Sequence, residues 1–205
     1  MKAKSTMHTV VGVACLVLFL AEAVLVLLSW ILSAMGLEGI RSLLSSEGIR
    51  WFFGDFTWMV ASPWLVWLML LLIALGAFQR SGLTSLLHSG WLHKLSYRDR
   101  TALRVAFLLL VFYIIAILLL TVFPHAILLS ASGTLFPSPF SRSIVPFIAF
   151  GIALVSIAFG LISGRMQSLS DILRTLSFGL QKGAPLLVLY IFFIQFYESL
   201  WFVFS

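Results

Sequence analysis

The sequence has a single cysteine, Cys15, in 205 residues, so an internal disulfide is excluded and no cysteine cluster can hold a metal. Charge is scarce as well: 10% of the residues are Asp, Glu, Lys or Arg, against 61% that are hydrophobic. Soluble domains carry about 25% charged residues, so composition alone excludes a water-soluble monomer. Acids are the scarcer sign, seven against thirteen cations, for a formal net charge of +6. Those cations are too few, and too scattered between apolar runs, to build a nucleic-acid surface, and no nucleic-acid partner is expected. Catalytic signatures are also missing: there is no GxSxG elbow, HExxH, Walker-type glycine loop or paired acidic motif. His88 and His93 lie five residues apart beside Lys94 without a carboxylate cluster, and His8 and His125 sit in or near loops. Neither a metal centre, nor a cofactor, nor an enzyme active site is expected.

What the chain does have is long apolar runs. A helix crossing a hydrocarbon core of about 30 Å needs roughly 20 mostly apolar residues. Five runs qualify: 10–33, 58–78, 105–123, 144–163 and 184–204. They are too long and too continuously apolar for barrel strands, which alternate every second residue. The sequence therefore reads as an all-α integral membrane protein, one membrane domain over 1–205 built as a bundle of about five transmembrane helices. Gly36, Pro124 and Gly164 are expected at helix ends and Pro185 at the start of the last span. No span is expected to be broken, Pro63 and Pro146 lying near helix starts. The first run follows Lys2 and Lys4 but continues past Ala21-Glu22-Ala23 to Ser33, too long for a signal-peptide core, and is read as an uncleaved helix.

Orientation follows from the cations. Lys2 and Lys4, then Arg80, Lys94, Arg98, Arg100 and Arg104, then Arg165, Arg174 and Lys182 fall on one side, leaving Arg41, Arg50 and Arg142 on the other. The positive-inside rule puts the N-terminus in the cytoplasm and the C-terminus outside. Between the first two spans, Glu38-Gly39-Ile40-Arg41 and Glu47-Gly48-Ile49-Arg50 echo each other nine residues apart amid apolar residues, as expected of an outer interfacial helix. Trp30, Trp51, Trp58 and Trp91 read as an aromatic belt, with Trp64 and Trp67 deeper.

Polar residues inside the spans are the candidates for function. Glu22 lies at the middle of the first span and Glu198 in the outer half of the last, with no Lys or Arg in any span to neutralise them. Intramembrane acids usually face a bundle interior or a water-filled cavity. Gln195 and Glu198 are three apart on one helical face and suit an interhelical hydrogen-bond network. Two readings stay open for these residues: polar groups that join helices or reach out to water, or a proton or substrate relay, for which Glu22 is the better candidate by depth. Ser156, Gly160 and Gly164, at four-residue spacing, flatten one helix face for close packing against another helix.

Several segments carry a resemblance. Leu44-Ser45-Ser46-Glu47-Gly48-Ile49-Arg50-Trp51, Asp55-Phe56-Thr57, Pro63, Arg80-Ser81-Gly82-Leu83, Arg100-Thr101-Ala102-Leu103-Arg104, Gly160, Gly164, Asp171 and Gln195-Phe196 stand in the order found in the aminobenzoyl-glutamate transporter (AbgT) family, which the chain resembles. The resemblance implies a secondary transporter of p-aminobenzoyl-glutamate or related small organic anions in a bacterial inner (cytoplasmic) membrane. Family members are more than twice this long, and place a long block with a re-entrant hairpin where this chain has a short basic loop between Leu83 and Tyr97. Asp55 and Gln79 stand where the family has Asn and Glu. The expectation is thus a reduced member, lacking the hairpin-containing transport segments and acting as a homo-oligomer or with a second membrane subunit. The competing expectation is a non-transporting scaffold or regulatory subunit that packs against a partner membrane protein, through the face of Ser156, Gly160 and Gly164. Candidate transport or polar-network residues are Glu22, Asp55, Gln195 and Glu198.

Overall fold

The fold is taken from a computed structural model, which describes residues 2–37, 39–84, 96–122 and 138–205, with side chains from Met7 onward. Trp91, His88, His93, Pro124 and His125, and the basic loop around Lys94, lie outside the described residues. Those described form seven helices and no strand: α1 (Lys2–Ala34), α2 (Ser46–Gly54), α3 (Phe56–Val60), α4 (Pro63–Ser81), α5 (Tyr97–Val122), α6 (Pro139–Ile162) and α7 (Leu169–Phe204). Five of them, α1, α4, α5, α6 and α7, are long and apolar enough to cross a membrane, as the five runs predict. Their outward faces, such as Leu16, Val17, Leu20, Val24 and Leu27 on α1, are exposed apolar side chains that meet the lipid bilayer.

Local chemistry sets the helix ends. Gly36 and Gly164 both adopt positive φ, 73° and 77°, where a residue with a Cβ is strained. Each closes a Schellman turn. Gly36 N–H reaches Ser33 O and Leu37 N–H reaches Leu32 O; Gly164 N–H reaches Leu161 O and Arg165 N–H reaches Gly160 O. Helix α6 starts at Pro139, earlier than the run beginning at residue 144, because Ser138 and Ser141 form a reciprocal capping box with proline in the first turn. Pro146 is accordingly inside α6.

Helix α5 likewise begins before its predicted run, at Tyr97 against residue 105, and two further boundaries differ from expectation. The run 58–78 is interrupted: α3 ends at Val60, and α4 begins at Pro63. Proline disfavours helical backbone at the residue before it, and Tyr190 secures the break, its hydroxyl lying 2.6 Å from Ser62 Oγ and 3.2 Å from Val60 O. Pro185 does not start the last helix, which runs unbroken from Leu169 with Pro185 inside.

The chain divides into two compact units, Met1–Val66 with Gly183–Ser205, and Trp67–Lys182. In the first, α1 lies parallel to the end of α7. Phe19 meets Phe192 edge-on with centroids 6.5 Å apart, Glu22 meets Ser199, and Leu25 packs in one cluster with Leu43, Phe202 and Val203. The loop before α2 is pinned over these helix ends by its own amides: Arg41 N–H donates to Val203 O (3.0 Å) and Leu43 N–H to Ser29 Oγ (3.1 Å). Gly48 fits directly beneath the backbone of Ser42 and Leu43.

In the second unit α5 and α6 run antiparallel, Ala102 and Ala106 against Phe159 at one end and Tyr113 against Gly151 and the Phe147 carbonyl at the other (2.9 Å). Helix α4 meets the first half of α7 backbone to backbone: a Cβ on Gly76 would strike Gly179, and a Cβ on Gly179 would strike Leu72 O. Lys182 Nζ donates to Gln79 Oε1 (2.9 Å) beside this crossing. Arg165 joins three elements, donating to Ser81 O (3.2 Å) and Asp99 (3.5 Å) while lying over the Phe159 ring.

Backbone contact leaves no flexible side chain to yield, so Gly179→Val should cost about 3 kcal/mol by overpacking. Gly12→Ala, where the added methyl meets open space, should stay within about 0.5 kcal/mol of the parent. Unfolding titrations in mixed detergent micelles give both values.

Candidate functional site

The pairing of α1 with α7 sets the position of the central acid. On α1 the buried and half-buried residues include Val11, Cys15, Leu18, Glu22, Leu25 and Ser29, spaced alternately four and three apart. That is the 3.5-residue period of a helix packed along one seam. Glu22 therefore occupies the packed face of its helix, not the lipid face. On α7 the facing residues are Phe192, Gln195, Ser199 and Phe202, on the same alternation.

Ser199 is fully buried and donates its hydroxyl to Glu22 Oε1 at 2.6 Å. Gln195 sits one helical turn earlier on the same face of α7 and is 8% exposed. The second carboxyl oxygen of Glu22, and both the oxygen and the nitrogen of the Gln195 amide, are buried without a hydrogen-bond partner among the described residues. A buried polar atom left unpaired costs about 1–3 kcal/mol. Glu22 and Gln195 thus each bring an unpaired acceptor oxygen, and Gln195 an amide donor, to the packed faces of α1 and α7, so a proton, a water or a small cation reaching either meets a ready partner. Ser199 is the member sequence reasoning missed. Its signal is the i, i+4 spacing from Gln195 within an apolar helix, which outranks the i, i+3 spacing of Gln195 and Glu198.

Asp55 and Glu198 are brought together elsewhere in this unit. They line a cleft of about 790 Å³ with Arg41, Glu47 and Arg50. Trp51 stacks on Phe202 at 4.4 Å on one side of it, and Arg41 lies over the same Phe202 ring. Glu22 and Gln195 thus belong to the α1–α7 seam, and Asp55 and Glu198 to the cleft.

The second unit holds Ser156, Gly160 and Gly164. Ser156 is fully buried, its hydroxyl without a hydrogen-bond partner among the described residues. Gly160 lies under Met166, which the turn at Gly164 folds back onto it, and the Arg98 guanidinium lies over Gly164. Within this chain, side chains already occupy the small-residue face. An apolar groove of about 420 Å³ opens between α5 and α6, but Tyr113, which offers a hydroxyl there, spends it on the Phe147 carbonyl, leaving little to orient a polar solute. No group of three or more His, Cys, Asp or Glu placed to hold a metal ion occurs among the described residues.

A multi-pass helical membrane protein with a buried carboxyl between two spans fits the transporter class. The sequence profile of the AbgT transporter family matches residues 51–202, about three quarters of the chain, and the chain belongs to that family. No curated protein and no solved structure matches it. The match begins at Trp51, after α1, so the helix carrying Glu22 precedes the matched segment while Asp55, Gln195 and Glu198 lie within it.

A double-mutant cycle of Glu22→Leu, which has no acceptor for the Ser199 hydroxyl, and Ser199→Ala should return a coupling energy of about 0.6 kcal/mol, the average for hydrogen bonds between membrane helices, and at most about 1.7. Reversible unfolding in bicelles measures it. A coupling near zero would separate the two side chains.

Proposed function

We propose that the protein takes part in moving small organic anions, of the p-aminobenzoyl-glutamate type, across a bacterial inner membrane, with Glu22, Gln195 and Ser199 as the relay that exchanges a proton during the cycle. Membership of a transporter family supports the transport role. The observation that carries the mechanism is the Glu22 carboxyl, held by Ser199 through one oxygen and left open at the other in the interior of a helix pair. Such a group can take and release a proton without dismantling the bond that positions it. The cation distribution supports an N-terminus in the cytoplasm, with Arg98, Arg100 and Arg104 drawing anions, or anionic lipid head groups, to that side. In this reading the chain works as a homo-oligomer or together with a second membrane subunit.

A second reading is a scaffold or regulatory subunit without transport of its own. Helix α5 favours it: few of its residues are buried within the chain, and Phe107, Leu108 and Phe112 are more than 60% exposed, a surface open to a partner helix as well as to lipid.

Uptake of labelled p-aminobenzoyl-glutamate into proteoliposomes under an imposed pH gradient tests the first reading. Flux should appear with the parent and fall at least about tenfold in Glu22→Gln with folding intact, in line with the contribution of a positioned proton-transfer group. No flux from correctly folded protein, together with co-purification of a second membrane protein, would favour the scaffold.

A further inference from the structure

The cleft at the end of α7 gathers five charged side chains of both signs: Arg41, Glu47, Arg50, Asp55 and Glu198, with Trp201 at its edge. Opposite charges held this near usually neutralise one another, yet no ion pair within 4 Å joins any of them; the one found among the described residues is Arg165 with Asp99. Each guanidinium is instead steadied by something neutral. Arg41 lies 5.7 Å from the Phe202 ring centroid, and Arg50 donates Nε to the Ser46 carbonyl (3.1 Å), its terminal nitrogens pairing with no carboxylate among the described residues. Neither Asp55 nor Glu198 has a side-chain hydrogen bond to another described residue. The cleft therefore presents two guanidiniums, with the Arg50 Nε already engaged, and three carboxylates that none of the guanidiniums neutralises, in a volume within the range of ligand pockets, about 300–1,000 Å³.

That arrangement selects a ligand carrying both charges. Acids outnumber guanidiniums three to two, which disfavours a purely anionic solute, and two arginines disfavour a simple cation. A phosphate beside a primary ammonium satisfies both sets, since guanidinium recognises phosphate through paired donors and carboxylates accept from an ammonium. The surroundings are those of a membrane boundary. Phe53 (76% exposed), Trp201 (66%) and Phe204 (61%) stand out beside the charged cleft where α7 ends, and interfacial aromatics anchor at head-group level. We propose that the cleft is a binding site for the head group of a zwitterionic aminophospholipid, the phosphate on Arg41 and Arg50 and the ammonium on Asp55 and Glu198, with the exposed aromatics beside the acyl chains. The site is independent of the transport reading, and a protein without flux would still bind the lipid.

Native mass spectrometry of the full chain, released from micelles doped with equal amounts of phosphatidylethanolamine, phosphatidylcholine and phosphatidylglycerol of matched chains, tests this. Phosphatidylethanolamine should be retained over the other two, and Asp55→Asn with Glu198→Gln, or Arg50→Gln alone, should each reduce its retention about tenfold, as expected for losing a charge-assisted hydrogen bond. The comparison of the three lipids on the parent protein needs no variant and stands even where one misfolds. Equal retention of phosphatidylcholine, whose methylated nitrogen has no N–H, would overturn the carboxylate role. Equal or greater retention of phosphatidylglycerol would overturn the zwitterion. Displacement of the lipid by soluble O-phosphoethanolamine at a matching concentration would assign the cleft to free solutes and overturn the lipid.

Discussion

A polar group inside a hydrocarbon layer has to find its partner within the protein, because the solvent offers none. Around Glu22 this requirement fixes the register of two helices. One hydroxyl from Ser199 fixes how far along α7 the first helix lies, with Phe19 against Phe192 on one side of it and Leu25 clustered with Phe202 and Val203 on the other. With that register set, the ends of both helices come level. The loop before α2 can then lie across them, and Arg41 and Trp51 come to share the Phe202 ring. The charged cleft is thus a downstream product of a bond made deeper in the same unit.

In the other unit the same rule acts on the main chain. Small residues let α4 and α7 approach until backbone touches backbone at Gly76 and Gly179, a form of packing that suits a lipid environment because no hydrophobic effect separates helices from lipid tails. The turn from α6 into α7 is stabilised from within as well. The Schellman turn at Gly164 satisfies the Gly160 and Leu161 carbonyls and swings Met166 over the space that Gly160 leaves open.

Much of this was legible in the sequence, for reasons tied to particular residues. The five spans derive from length and apolarity, and the ends at Gly36 and Gly164 from the need for positive φ. Glu22 is expected on a packed face because an intramembrane acid usually faces a bundle interior, while the alternation with Val11, Leu18, Leu25 and Ser29 shows only in the burial, since their neighbours are as apolar as they are. The break before Pro63 was hidden because Trp58, Met59 and Val60 are as apolar as the first turns of α4, and only Tyr190, far along the chain, holds the gap. Pro185 misled because proline normally opens a helix, and here the helix has already been running since Leu169. The Gly76–Gly179 crossing was missed because Ser156, Gly160 and Gly164 mark a small-residue face more openly, and a sequence pattern does not say which face meets which. Residues 41, 50, 55 and 198 converge only through the tertiary fold, so no local pattern predicts their cleft.

The loop from residue 40 to residue 45 owes its attachment to main-chain donors. Arg41 and Leu43 supply their amide hydrogens, and the acceptors are the Val203 carbonyl and the Ser29 hydroxyl. An amide hydrogen comes with every amino acid but proline. The tether on this loop is therefore nearly indifferent to which side chain stands at position 41, so that position is free to drift and explore new chemistry while the loop keeps its place. A binding surface mounted on such a tether can be retuned by single substitutions without the fold having to be solved again.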